Sequence, residues 1–178
     1  MTGRARWRIP CAVAGLLLLL VAPAARPAAA GEPPRAEPPG IPGWAAEALR
    51  GRDFTRDYAL STRLTPSQLE GDFDGDGRLD VAVLVSRRGN GAQGIAFLRA
   101  ASPGPVVVGA GHALGNGGDD FSWMDAWSVY PRDVVARGAD ESAPPRLRGD
   151  ALLVEKLEAA SALVYWDGAA YRWYQQGD

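Results

Sequence analysis

Nine residues, Asp72-Phe-Asp-Gly-Asp-Gly-Arg-Leu-Asp80, hold the clearest chemistry in this chain. Acids fall at positions 1, 3, 5 and 9 of the run (Asp72, Asp74, Asp76, Asp80), with Gly77 at position 6. An acid at every second position turns several carboxylates toward one centre. Four carboxylates so close repel one another, and that repulsion argues for a cation among them. Calcium accepts about six to eight oxygens in a flexible shell, whereas magnesium demands near-ideal octahedral geometry and keeps its waters. The pattern points to calcium, with Asp72, Asp74, Asp76 and Asp80 as carboxylate ligands and the backbone carbonyl of Arg78 at position 7. Gly75 and Gly77 permit the tight path, and Gly77 is expected at positive φ.

An EF-hand carries a bidentate glutamate at position 12. Here that position is Val83, inside an apolar run. Residues Leu79 to Val85 read as the strongest strand in the chain. Leu79, Val81, Val83 and Val85 share one face and Ala82 and Leu84 the other, so the strand is expected to be buried on both sides. Gln68 to Asp72 leads into the loop from the other end. Strands, not helices, therefore flank the acids.

In that setting Gly-Asp-Phe-Asp-Gly-Asp-Gly-Arg-Leu-Asp-Val-Ala-Val resembles the FG-GAP/VCBS-type calcium loop found between strands in integrin-like propeller blades. The resemblance covers about residues 68–86 and implies Asp72, Asp74, Asp76 and Asp80 as ligands. The loop occurs once, and a single blade cannot close a propeller. The remainder resembles uncharacterised bacterial exported proteins, a likeness that implies no function.

The elements around the loop read mainly as strands. Trp44 to Arg50 is a short helix, with Trp44, Ala45, Ala48 and Leu49 on one face and Gly51 as its stop. Tyr58, Leu60 and Thr62 alternate as a strand does. After the central strand, Arg87-Arg88-Gly89-Asn90-Gly91 is a turn, and strands are expected at Gly94–Arg99 and Val106–Val108. Phe121 to Tyr130 fits either period. Ala151 to Tyr165 has good helix formers, yet also reads as two strands joined near Glu158–Ala160. Strands are preferred there, because Tyr165-Trp166-Asp167-Gly168 followed by Tyr171-Arg-Trp173-Tyr174 reads as a hairpin. The expected fold class is mainly β, a β-rich α+β domain. Antiparallel meanders pack as a small sandwich or barrel-like core with a short N-terminal helix.

Other constellations carry less. Gly109-Ala-Gly-His-Ala-Leu-Gly115 lacks the dinucleotide-loop spacing, since its third glycine falls one residue late. His112, the only histidine, precedes Asp119, Asp120 and Asp125. Those carboxylates would suit a cell-envelope polymer hydrolase if the fold spaced them for glycoside cleavage. Trp123, Trp127, Trp166 and Trp173 suit either core packing or a sugar-stacking platform beside Asp125. Exposure decides between the two.

The chain has 178 residues. Arg4, Arg6 and Arg8, an apolar run from Ala12 to Ala22 and Ala28-Ala29-Ala30 read as a secretory signal peptide over residues 1–30. The apolar run falls short of the roughly 20 residues a spanning helix needs. Residues 31–43 hold five prolines and read as an extended linker, leaving 44–178 as a single β-rich domain. Loss of the signal removes four of 19 Lys+Arg and no acid, leaving 15 against 21 Asp+Glu, a formal charge of −6. That balance argues against nucleic acid and anionic membranes as partners. Cys11 departs with the signal, so the mature chain forms no disulfide. The sequence thus suggests a secreted or periplasmic, calcium-stabilised, non-enzymatic binding or structural module with a protein or glycan partner. The hydrolase is the alternative.

Overall fold

The computed structural model describes residues 40–138 and 143–177. The expected signal peptide, most of the proline-rich linker and part of the polar excursion after Arg137 lie outside the described residues.

Two antiparallel sheets carry the domain. The first contains β1 (Tyr58–Leu60), β2 (Gln68–Gly71), β3 (Asp80–Arg87), β4 (Gln93–Leu98) and β5 (Val106–Gly109). Its order is β1-β3-β4-β5, and β2 also pairs with β3. β1 pairs with the far end of β3 (Tyr58↔Arg87) and β2 with its near end (Gly71↔Asp80). The second sheet is a plain meander, β6 (Ala126–Tyr130), β7 (Ala151–Lys156), β8 (Ala160–Trp166) and β9 (Tyr171–Gly177). No closed barrel forms; the sandwich expectation is the one realised.

Side-chain alternation explains the layering. Ala82, Leu84, Ile95 and Phe97 of the first sheet meet Trp127, Leu152, Val154, Ala162, Val164 and Tyr171 of the second in one core. The other face of β3 and β4 turns Val81, Val83, Val85, Ala96 and Leu98 toward Ala45, Leu49 and Phe54. These last three lie on α1 (Gly43–Arg50) and α2 (Arg52–Asp57). β3 is therefore covered on both sides, as its unbroken apolar run implied. On the outer face of the second sheet, Val135 packs with Ala151, Leu163 and Tyr174. Phe97 stacks on Tyr171 across the core with ring centres 3.8 Å apart.

Three local expectations are corrected. Leu79 precedes β3 and is 64% exposed, because the chain is still in the loop there and not yet in the pleat. Trp44 is turned outward, and Ala45, Ala46 and Leu49 form the buried stripe of α1. A second helix, α2, occupies Arg52–Asp57, buries only Phe54 and has no apolar periodicity to announce it. The segment 151–166 is two strands joined through Leu157–Ala159, with Glu158 at φ +60°. Phe121–Trp123 forms a single tight helical turn before β6, so neither periodic reading of 121–130 holds throughout. Among the described residues, no helix is long and apolar enough to cross a membrane.

Candidate metal centre

The loop closes a hairpin. β2 ends at Gly71, β3 begins at Asp80, and these two residues pair, so both ends of the loop are pinned. Within it, carboxylate oxygens of Asp72, Asp74 and Asp80 lie within 4.8 Å of one another. The three can hold a metal ion. Asp76 stands outside this group, exposed, and its Oδ1 accepts the Arg78 N–H at 2.8 Å. Arg78 is exposed as well.

The loop's own amides set the carboxylates. Asp72 Oδ1 accepts from Gly75 N–H at 2.8 Å, and its Oδ2 from Gly77 N–H at 3.1 Å. Asp74 Oδ1 accepts from Asp76 N–H at 3.2 Å. Gly75 and Gly77 have φ of +79° and +83°, the left-handed region that side chains disfavour, so the expectation for Gly77 holds. Asp80 is fully buried; its Oδ2 accepts from Phe73 N–H at 3.0 Å and its Oδ1 from Ala100 N–H at 2.8 Å. Burial pushes the Asp80 carboxyl up to about 6; the charges of Asp74 and Asp76 push the same way and the two amide donors oppose them.

Three further residues frame the group, none of them among the ligands expected from the sequence. Asp150, just before β7, accepts the Asp72 N–H through Oδ2 at 3.0 Å and the Arg132 N–H through Oδ1 at 2.9 Å. Its own N–H donates to the Asp72 carbonyl at 2.7 Å. Arg99 follows β4; its guanidinium lies 3.9 Å from Asp74 Oδ2 and 4.6 Å above the Trp166 ring, and its buried Nε has no hydrogen-bond partner. Tyr171, at the start of β9, is 5% exposed, and its buried hydroxyl also lacks a partner. Burial drives that phenol far up, the Asp80 charge adds to the rise, and Arg99 opposes it. The available sequence signal for Asp150 was a Gly-Asp step directly before a buried strand. Arg99 and Tyr171 carried no signal, since their relation to the loop exists only across the two sheets.

Three of the remaining candidates, His112, Asp120 and Asp125, have side-chain partners elsewhere. His112 Nε2 hydrogen-bonds the Tyr58 hydroxyl at 2.7 Å. Asp120 Oδ1 accepts from Gln93 N–H at 2.8 Å and Ser122 N–H at 2.9 Å, and those donors hold its carboxyl below the usual range. Asp125 forms an ion pair with Lys156 at 3.0 Å. The Asp119 carbonyl accepts from Gly111 N–H at 2.7 Å. No hydrogen bond or ion pair joins any two of these four residues. Of the tryptophans, Trp127 is buried, and Trp123, Trp166 and Trp173 are half-buried against the inter-sheet core. The Trp127 indole donates to the Pro66 carbonyl at 2.7 Å and the Trp123 indole to the Gly117 carbonyl at 3.0 Å. This is packing, with no open aromatic platform.

No family model, no curated protein and no solved structure matches the chain.

Proposed function

We propose that this protein is an exported, calcium-stabilised, non-enzymatic module that binds a protein or glycan partner or serves a structural role, with an FG-GAP/VCBS-type loop at about residues 68–86. The observation that carries the reading is the convergence of Asp72, Asp74 and Asp80 on a hairpin loop. Clustered carboxylates suit a hard divalent cation, and calcium, which takes about six to eight oxygens in a flexible shell, tolerates an irregular loop better than magnesium does. Asp76 completes the ligand set by the resemblance, and the Arg78 carbonyl by its place at position 7 of the loop. Export is the reading of the basic, apolar and small-residue N-terminus. A hydrolase centred on Asp119, Asp120, Asp125 and His112 gains no support, because no hydrogen bond or ion pair joins any two of them and the side chains of Asp120, Asp125 and His112 have other partners.

Such loops in extracellular modules bind calcium with dissociation constants of about 0.1–1 mM. At free calcium ten times that value, binding stabilises the fold by roughly 1.4 kcal/mol, a rise in melting temperature of about 3–6 °C for a domain of this size. Calorimetric titration with calcium chloride and melting curves in calcium against EDTA test this. Saturable heat and a higher melting temperature are expected, with both lost in Asp74→Asn. Asp76→Ala is expected to weaken the effect less than Asp74→Asn. Superimposable melting curves together with no heat of binding would end the proposal.

A further inference from the structure

The acidic loop belongs to the first sheet, yet Asp150, which leads into the second sheet, bonds to it. Asp150 holds Asp72 by both its N–H and its carbonyl, and Asp72 in turn orients Gly75 and Gly77 through its carboxylate. Tyr171 presents a hydroxyl that is buried and unpartnered. Its ring is fixed by the stack on Phe97 at 3.8 Å and by Trp166 edge-on at 5.1 Å, so the hydroxyl cannot swing out to water. Trp166 also carries Arg99, whose guanidinium reaches Asp74, so Tyr171 is linked to the loop through Trp166 and Arg99. The charges of Asp80 and Asp74 both act on that hydroxyl. A polar group left this way destabilises a fold unless a ligand or water supplies its partner.

We propose that the cation site is built by both sheets: Asp150 and Tyr171 are positioning residues of the site, and the bound ion locks one sheet to the other. The Tyr171 hydroxyl donates to an oxygen of the occupied cation's shell, calcium being an ion that carries waters alongside its carboxylates. Asp150 holds Asp72 where its carboxylate can ligate, as outer-shell partners do at other metal sites. The inference rests on the calcium reading of the loop.

The test titrates calcium chloride into wild type, Asp150→Asn and Tyr171→Phe by calorimetry, with melting curves in EDTA and amide hydrogen exchange with and without calcium. Asp150→Asn is expected to weaken calcium about tenfold. Tyr171→Phe removes one oxygen and no ring; it is expected to weaken calcium about threefold or more while raising the metal-free melting temperature. Those opposite signs would not come from a purely structural tyrosine. Calcium is expected to slow exchange at the Asp150 N–H and around Tyr171 as well as at Gly75 and Gly77. Equal calcium affinity in wild type and Tyr171→Phe, with protection confined to residues 72–80, would overturn the two-sheet site and leave the calcium reading standing. No calcium binding by wild type would overturn both. Tyr171→Phe keeps the test decisive should Asp150→Asn fail to fold.

Discussion

Asp72 and Asp150 bond to each other in both directions: the Asp150 N–H donates to the Asp72 carbonyl at 2.7 Å, and the Asp72 N–H donates to Asp150 Oδ2 at 3.0 Å. The pair joins the first residue of the acidic loop to the lead-in of β7, by one backbone and one side-chain hydrogen bond. The approach is close enough to exclude side chains. A Cβ on Gly149 would overlap the Asp72 carbonyl oxygen, and one on Gly75 would stand 2.7 Å from the Arg148 carbonyl oxygen.

Gly149→Ala is therefore expected to destabilise the protein by about 1–3 kcal/mol, the range for forcing atoms into a filled site. Calcium affinity should fall with it, because the displaced segment carries Asp72. Chemical denaturation and calcium titration of the same variant check both effects. Wild-type stability in Gly149→Ala would mean that the two segments part easily.

Arg99 bears on the site with the opposite sign. Its guanidinium lies 3.9 Å from Asp74 Oδ2 with little exposure of either side chain, a tethered positive charge beside the place a cation would take. Arg99→Gln should raise calcium affinity about three- to tenfold, about 0.6–1.4 kcal/mol. The metal-free melting temperature should fall as the Asp74 and Trp166 contacts go. Calorimetry reads the first and a melt in EDTA the second. Unchanged affinity would show that Arg99 does not oppose the ion.

Asp120 supplies a pH dependence of defined sign. The Gln93 and Ser122 amides favour its charged form, and Arg63 adds to that, so its folded-state pKa lies below the usual value of about 3.9. For a lowered acid the unfolded chain takes up the proton first. The contribution to stability is then fully present above about pH 4 and is lost as pH falls through the folded-state value. Asp120→Ala should cost about 0.5–2 kcal/mol at pH 7, the range for a lost cap. The difference from wild type should shrink on acidification below about pH 4. A difference that stays constant with pH would rule out the charged cap as the source.

Arg63 ties the β1–β2 connection to the turn before β6. Its guanidinium donates to the Met124 carbonyl at 2.6 Å and the Phe121 carbonyl at 3.0 Å. Arg63→Ala leaves two part-buried carbonyls short of a donor and should destabilise by about 1–3 kcal/mol. Arg63→Lys should recover only part of that, since an ammonium is a point donor without the planar fork. Equilibrium unfolding of the two variants decides it.

Patterns of period two were legible in the chain alone. Val81 to Val85 announced a strand buried on both faces, Asp167-Gly168 announced the last hairpin, and the acids at 72, 74, 76 and 80 announced a loop between strands. Such features depend on neighbours a few residues apart, and backbone geometry enforces them locally. The same locality explains what was hidden. α2 buries a single residue, and Leu79 continued an apolar alternation while still in the loop.

The acidic loop shows the division most clearly. By itself the sequence determined that four aspartates alternate on a glycine-bearing turn leading into a central strand. Only the tertiary structure decided which of them gather closely: Asp72, Asp74 and Asp80, with Asp76 left outside. Only it supplied Asp150, Arg99 and Tyr171, which lie 78, 25 and 99 residues along the chain from Asp72, Asp74 and Asp72 respectively. The reason is physical: spacing along a strand sets the direction of a side chain, but the packing of one sheet on the other sets what it meets.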